Sequence, residues 1–518
     1  MRLLPLLALT CALPLPLLAQ DTQEEEDRGF LQGLIEDSLS STARIVRIEG
    51  FEGALSSRAT VARLTLADQE GVWLEATDLA LDWNRSALLR GRIEIEELSA
   101  GAIDVIRPPI PDPQAPTPEA TPFSLPDLPV SVEIGQLDAQ RITLGEGLLG
   151  EELALTLNGS VNLAGGEGAA DITAQIVEGS EGDLALDASY SNESRILAFN
   201  LDLQEAEGGL VSRALDLPGL PSVGLHVEGT GPIDDYAAQI SLATAGEQRI
   251  AGDFALKTTA TANGEVTSRA FGLDVRGDVT ALLAPEAGAF FGPDVVLRTK
   301  GIRRQDGSLV LTSLDLRGQA ITLDGEAEIT PQGWPARIAL TGDIGAEGGD
   351  PVPLPGAGDT TVRHVDLDLA YDRSQGEGFT ATFAIDGLAR PGLAIDALTL
   401  GGTGTIQPAT AEVPGRFTAD LDYAAQGLAF ADASLGEALG ADLTGNLDLV
   451  RADDGGPLQI RSLTLSGPGL EAQAEGTVAG PDDGFLTQSS ITFTADDLAR
   501  FADLTGLDLG GSANAIVV

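Results

Sequence analysis

Cysteine, histidine and lysine are scarce in this 518-residue chain. The only cysteine, Cys11, lies in the N-terminal apolar segment, so no disulfide can form within the rest of the chain. The two histidines, His226 and His364, are far apart in sequence and have no partner motif nearby. No Gly-x-Ser-x-Gly elbow or phosphate-binding loop occurs either. These absences predict a protein with no catalytic residues, no metal and no cofactor, and therefore not an enzyme.

Aromatic residues are also rare, at 4% of a chain that is 43% hydrophobic. Compact cores normally depend on aromatic side chains, which bury the most area per residue. The 63 glycines, together with Leu, Ala, Val and Ile, instead favour thin β-layers joined by many turns. Composition therefore predicts an extended architecture and not one large globule.

Positive charge is the last deficiency, since 30 basic residues face 79 acidic ones and the net charge is −49. Such a chain repels nucleic-acid phosphates, which excludes nucleic acid as a partner. We interpret the negative charge as keeping a leucine-rich protein with many strand edges soluble. Gly145, Gly147 and Gly150 match the dinucleotide-binding spacing, but the segment after them alternates like a strand and opens no helix.

The N-terminus predicts export. Residues 1–20 combine Met1-Arg2 with an apolar stretch ending at Ala19, which is typical of a signal peptide or an N-terminal membrane anchor. Residues 21–43 predict a short amphipathic helix, because Phe30, Leu31 and Leu34 recur at helical spacing. We expect this helix to cover the edge of the first strand.

From about residue 44 the dominant pattern is alternation of apolar and polar residues, which predicts strands with one apolar face and one wet face. Residues 44–107 form a first strand group, and 108–129 a Pro-rich loop or linker, because proline cannot sit inside a sheet. Residues 130–518 continue as a repetitive sheet to an end that we expect to be truncated. Helical stretches within this region are few, with candidates near 281–290 and 431–441. The predicted fold class is all-β, an elongated, curved antiparallel sheet with an apolar groove and one short N-terminal helix.

Weak internal repeats favour a stacked meander. Residues 314–323 resemble 463–472, and residues 98–105 resemble 137–144. Their spacing is irregular, which argues against a solenoid of fixed period.

Residues 51–109 contain an ordered set of features that resembles the N-terminal region of the TamB family of the bacterial translocation and assembly module. The quoted features are Phe51-Glu-Gly53, Leu64-Thr-Leu66-Ala-Asp68, Gly71-Val-Trp73-Leu74, Leu79-Ala-Leu81-Asp82-Trp83, Ser86-Ala-Leu88 to Ile93, and Arg107-Pro108-Pro109. Gly231-Pro232-Ile233 and the later glycine-rich strand pairs are similar to the middle region of the family, so the resemblance covers nearly the whole exported chain. The lysine-poor composition is similar to that of alphaproteobacterial members of the family.

The resemblance implies an inner-membrane anchor, a bulk in the periplasm of a Gram-negative envelope, and a curved sheet with an apolar groove. It implies movement of phospholipid between the inner and outer membranes, and assembly of outer-membrane proteins with a barrel partner resembling TamA. Family members are much longer, so this sequence is expected to be a partial chain.

Phospholipid acyl chains are therefore the expected ligand. The residues expected to line the groove are apolar positions of the alternating segments, namely Leu64, Leu66, Leu79, Leu81, Leu314, Leu316, Ile321, Leu323, Leu367, Leu369, Leu463 and Leu465. Two alternatives fit the same pattern. One is a strand-pairing assembly factor for outer-membrane barrels that carries no lipid. The other is an acidic surface β-helix adhesin.

Overall fold

The computed structural model describes residues 36, 44–53, 57–88, 92–110, 125, 131–150, 152–261, 266–410, 413–452, 457–478 and 487–517. The predicted signal or anchor at 1–20 lies outside the described residues, as do the amphipathic helix at 21–43 apart from Glu36 and most of the Pro-rich segment. Strands account for 66% of the structure and helices for 8%, so the predicted all-β class is confirmed. The chain divides into two compact units at Asp187 and Ala188, within a strand at Gly182–Ser191 (β9).

Among its described residues from 44 onward, unit 1 contains eight complete strands and two single helical turns. The strands are β1 (Ile45–Glu49), β2 (Arg58–Asp68), β3 (Gly71–Asn84), β4 (Arg92–Ala100), β5 (Ala102–Val105), β6 (Ser131–Leu144), β7 (Leu153–Ala164) and β8 (Glu167–Glu178). The helical turns are α1 (Arg85–Leu88) and α2 (Glu146–Leu149). α2 falls in the glycine motif where no helix was predicted, but it ends after four residues and β7 follows it. Gly165 and Gly166 have φ values of 57° and 79°, which the tight β7–β8 hairpin requires and which glycine adopts without strain.

Pairing in unit 1 is antiparallel with one exception. β3 pairs with both β4 and β5, and these two strands pair in parallel with β6. The purely antiparallel prediction is wrong here, because residues 106–130 are long enough to cross over and bring β6 back in the same direction. The parallel register places Leu98 beside Leu137 and Ile103 beside Ile142. The internal repeat of residues 98–105 and 137–144 is therefore a pair of neighbouring strands in register.

Unit 2 contains one long antiparallel ladder of eighteen strands, in which each strand pairs with the next. They are β10 (Ile196–Glu205), β11 (Val223–Pro232), β12 (Asp235–Thr244), β13 (Glu247–Ala260), β14 (Val266–Gly277), β15 (Val295–Arg304), β16 (Leu309–Arg317), β17 (Ile321–Ile329), β18 (Pro335–Gly345), β21 (His364–Asp372), β22 (Gly378–Arg390), β23 (Leu393–Gln407), β24 (Arg416–Gln426), β26 (Leu443–Ala452), β27 (Leu458–Gly467), β28 (Leu470–Val478), β29 (Thr487–Ala495) and β30 (Ala513–Val517).

Five connections of this ladder are much longer than all the others. They span 206–222, 278–294, 346–363, 427–442 and 496–512, and we call them the rim connections. They follow the first, fifth, ninth, thirteenth and seventeenth strands, so one recurs after every four strands. Because every second connection of an antiparallel meander leaves from the same strand ends, all five lie along one edge of the sheet.

The short elements that the structure describes in unit 2 lie in the rim connections. They are α3 (Leu210–Ala214), α4 (Pro285–Phe291), β19 (Val352–Pro353), β20 (Thr361–Val362), β25 (Ala429–Phe430), α5 (Ala433–Leu439), a 3-10 turn (Leu498–Phe501) and α6 (Ala502–Thr505). Helices were predicted near 281–290 and 431–441, and α4 and α5 confirm both. Four connections bury an apolar side chain, Leu217, Phe290, Val362 and Ala438, each at most 5% exposed. α4 contacts β19, and α5 contacts the 3-10 turn and α6, so neighbouring connections support each other.

The four-strand period explains the stronger internal repeat. Residues 314–323 begin in β16 and residues 463–472 in β27, the seventh and fifteenth strands, which are two periods apart. Both strands carry the same bulge, between Leu311 and Leu314 and between Ile460 and Leu463. The predicted meander is therefore confirmed in unit 2, where the residue spacing is uneven, and the structure adds a regular strand count that the sequence did not reveal.

Candidate functional site

One face of the unit 2 sheet is apolar in every strand. Residues directly opposite each other in a ladder share a face, so the register can be followed from β10 to β30. One such line, which we call the central apolar line, consists of Phe199, Gly229, Ala238, Phe254, Leu273, Thr299, Leu314, Gly325, Leu340, Leu369, Ala381, Gly402, Leu421, Leu447, Leu463, Ala474, Ile491 and Val517. Thr299 is its only polar residue, and no member is charged.

The eight residues predicted in unit 2 all belong to this face. Leu314, Leu369 and Leu463 lie on the central apolar line itself. Leu316, Leu323 and Leu367 lie on the adjacent line, two residues along each strand, where Leu316 faces Leu323. Ile321 and Leu465 continue the same alternation. The structure thus brings these eight positions together on one surface, although they come from four strands, of which β16 and β27 are far apart in the sequence.

The other face of the same strands is polar. The line next to the central apolar line carries Asn200, Glu228, Gln239, Asp253, Asp274, Arg298, Asp315, Asp324, Thr341, Asp368, Thr382, Gly401, Asp422 and Asn446. Arginines bridge it: Arg298 lies 3.1 Å from Asp274, and Arg317 donates to both oxygens of Asp324 at 2.9 Å. Along this line acidic residues outnumber basic ones by seven to one.

The four residues predicted in unit 1 also share a face. This is unexpected from strict alternation, because Leu64 is opposite Ala76 of β3, and Ala76 and Leu81 are five residues apart on that strand. The opposed residues run Leu64–Ala76–Ile103–Ile142–Leu155 on one line and Leu81–Leu98–Leu137–Gly159 on another. Leu155 and Gly159 are four residues apart on β7, so the two lines lie on one face. Irregular positions interrupt the alternation and so bring both lines to the same face. Among them are Asp78, with φ 52°, and the β6 register shift between Ala139 and Ile142. Leu66 and Leu79 follow by alternation.

All twelve predicted residues are half-buried, and none belongs to the fully buried or the exposed hydrophobic set. Fully buried apolar residues occur along many of the strands, for example Leu153, Leu443 and Leu470. Two groups of them form clusters. One groups Tyr371, Phe379, Ala381, Ile406 and Ala419, and a second groups Leu217, Val223 and Leu282 at the rim connections. The twelve predicted residues therefore keep part of their surface accessible to solvent, and Leu369 among them packs against the first cluster.

Glycines on the apolar face lie beneath large neighbours. A Cβ on Gly301 would collide with the Phe271 ring, and a Cβ on Gly404 with the Phe379 ring. Gly445 lies in the same way beneath Tyr423. These missing side chains provide the space into which the few aromatic rings fit, which is how a sheet poor in aromatics packs its apolar face. Sequence reasoning did not identify these positions, because the pairing register is needed to recognise them.

Three tyrosine hydroxyls reach this apolar environment. Burial raises the pKa of Tyr236, Tyr371 and Tyr423. The Tyr423 hydroxyl donates to the carbonyl oxygen of Thr464 at 2.7 Å, whereas those of Tyr236 and Tyr371 have no hydrogen-bond partner in the structure. An unpaired hydroxyl in such a place is costly.

Comparisons with known proteins give no match to a family model, a curated protein or a solved structure. The resemblance to the TamB family thus rests on the residues quoted above alone. Among the described residues, no helix is both long enough and apolar enough to cross a membrane.

Proposed function

We propose that the apolar face binds phospholipid acyl chains and that the protein carries phospholipid between the inner and outer membranes of a Gram-negative envelope. The observation that supports this proposal is the central apolar line, which continues through eighteen strands with mostly half-buried residues and no charge. Hydrating an acyl chain costs about 0.8 kcal/mol per CH₂, so a continuous apolar strip beside a polar face is the surface that such a ligand needs. A sealed β-core would instead bury these leucines fully.

The wider proposal follows the resemblance. It includes attachment to the inner membrane through residues 1–20, no catalytic activity, and a barrel partner resembling TamA in outer-membrane protein assembly and secretion. The acidic face keeps the outside of the sheet hydrated.

Face-specific photocrosslinking tests the proposal. A benzophenone amino acid replaces Leu314 or Leu369 on the apolar face, or Asp315 or Asp368 beside them on the opposite face, and the full chain is purified from envelopes and irradiated. We expect phospholipid adducts by mass spectrometry from positions 314 and 369 only. Adducts of equal yield from all four positions would indicate non-specific adsorption and overturn the proposal, as would adducts from none. Crosslinks to unfolded barrel strands in place of lipid would favour the strand-pairing alternative.

A further inference from the structure

Three metal-ligating side chains converge on the polar face of unit 2, opposite the surface discussed above. Asp343 of β18 stands directly across from Asp366 of β21, and His364 precedes Asp366 by two residues on the same face. One ligand atom from each of the three side chains lies within 4.8 Å of the others. The Thr322 hydroxyl donates to Oδ2 of Asp343 at 3.1 Å, while Oδ1 of Asp343 lies 3.4 Å from Nε2 of His364.

The electrostatic setting of this group is unusual for the sheet. In the ladders that join β1 to β8 and β10 to β30, seven pairs of carboxylates stand directly opposite each other, which is destabilising without a counter-charge. The other six pairs are Asp82–Glu97, Glu75–Asp104, Glu94–Glu133, Asp253–Asp274, Asp315–Asp324 and Asp420–Asp448.

In each of those six pairs, at least one carboxylate forms an ion pair with an arginine. Within the described part of the chain, Asp343 and Asp366 have no arginine or lysine partner, and His364 is the only basic side chain in contact with either. This carboxylate pair therefore lacks the cation that every other opposed pair has.

His226 provides an internal comparison, since it also has two carboxylate neighbours on the polar face. Its Nδ1 lies 2.8 Å from Asp202, and its Nε2 lies 3.7 Å from Glu228. The two carboxylates thus approach different ring nitrogens, on opposite sides of the imidazole. They cannot meet at one ion, so the presence of a histidine among acids does not by itself create the geometry found at His364.

We propose that Asp343, His364 and Asp366 bind a divalent cation of the zinc class. An imidazole nitrogen and two carboxylate oxygens form a ligand set that suits Zn²⁺, with water as the fourth ligand. Tetrahedral coordination at about 2.0–2.2 Å places ligand atoms about 3.5 Å apart. Small side-chain rotations reach this spacing, because both aspartates are exposed and their side chains have room to turn. Asp343 and His364 flank the rim connection 346–363, so the ion would join the two strands from which that connection leaves.

Isothermal titration calorimetry of Zn²⁺ binding to the full chain tests this site. The titration is run in excess Ca²⁺, which occupies scattered surface carboxylates without requiring an imidazole. We expect one saturable Zn²⁺ per chain, at least tenfold weaker binding in His364→Gln and Asp343→Asn, and unchanged binding in the matched control His226→Gln. Co²⁺ should give visible absorption bands of a low-coordinate site in the wild type and in His226→Gln, but not in His364→Gln. Wild-type protein with no saturable site, or equal affinity in the wild type and His364→Gln, would overturn the proposal. Circular dichroism of each variant confirms that these polar-face changes leave the strands intact.

Discussion

Arg107 donates two hydrogen bonds to the carboxylate of Asp68, from Nη1 to Oδ2 at 2.8 Å and from Nη2 to Oδ1 at 2.5 Å. The Asp68 side chain is only 2% exposed and also accepts from the backbone N–H groups of Glu70 and Ile110. The pair joins the β2–β3 hairpin to the chain that leaves β5. These contacts, and above all the Arg107 hydrogen bonds, hold the pKa of Asp68 well below its usual range.

We expect Asp68→Asn to lower the melting temperature of unit 1 clearly at pH 7, because it leaves the Arg107 guanidinium facing a neutral amide. The lowered pKa means that the stabilisation is complete above the usual pKa of 3.8 and is lost as pH falls through the folded-state value. The difference in melting temperature between wild type and Asp68→Asn should therefore become smaller in strong acid. Asp82→Asn removes the exposed partner of Arg58 and is the control, with an expected change of less than about 1 kcal/mol. Thermal unfolding by circular dichroism from pH 2 to 7 measures both, and equal effects of the two substitutions would contradict this account.

Removing the hydroxyl of Tyr371 and removing that of Tyr423 should change the stability of the protein in opposite directions. Tyr371→Phe deletes a hydroxyl that has no partner in a side chain only 3% exposed, and should stabilise the protein by about 1 kcal/mol. Tyr423→Phe deletes a hydroxyl that donates to Thr464, and should destabilise it by about 1 kcal/mol. Urea unfolding of the two variants gives the sign directly. A loss of stability in Tyr371→Phe would mean that its hydroxyl is hydrated or paired.

Two glycines of β23 form a matched pair for testing the packing of the apolar face. A Cβ on Gly404 would meet the Phe379 ring and the Thr418 carbonyl oxygen, whereas a Cβ on Gly401, on the opposite face, would have its nearest neighbour at 3.6 Å. We expect Gly404→Ala to cost about 1–3 kcal/mol through overpacking. Gly401→Ala should be neutral or stabilise by up to about 1 kcal/mol, since alanine restricts the unfolded chain. Equal melting temperatures for the two variants would show that the ring over Gly404 moves aside freely.

Local alternation predicted that the eight candidate residues of unit 2 share one face of their strands, and the pairing register places them on one face. It succeeded because side-chain orientation in a strand depends only on local period, and apolar burial reinforces that period in every strand. In unit 1, strict alternation would separate Leu64 from Leu81, and irregular positions such as Asp78 bring them to one face.

Features that depend on pairing could not be predicted in this way. The parallel register of β4 and β6 requires knowledge of the crossover, and the group at His364 draws Asp343 from a strand that lies before a long rim connection. The four-strand period was hidden because the rim connections are unevenly spaced along the sequence. Within unit 2, sequence similarity linked only β16 and β27, which share a bulge.

Leucine-to-aspartate substitutions should separate the accessible part of the apolar face from its sealed part. Leu316 lies between Leu297 and Leu323 and is half-buried, whereas Leu443 on the same face is only 6% exposed. A carboxylate at position 316 can remain hydrated, so Leu316→Asp should lose only the partial burial of one leucine, about 1–2 kcal/mol. At position 443 the charge would be buried without a partner, and a loss of about 4 kcal/mol or more is expected.

The functional outcome follows from the same difference. If acyl chains occupy the apolar face, Leu316→Asp should purify folded but with less bound phospholipid, because a hydrated carboxylate interrupts the strip that the chains follow. Asp315→Asn changes the neighbouring residue on the polar face and should leave the lipid content unchanged. Circular dichroism and lipid extraction on the same preparations measure fold and cargo separately. An unfolded Leu316→Asp would mean that the face is a closed core, and a folded variant with full lipid content would place the lipid elsewhere.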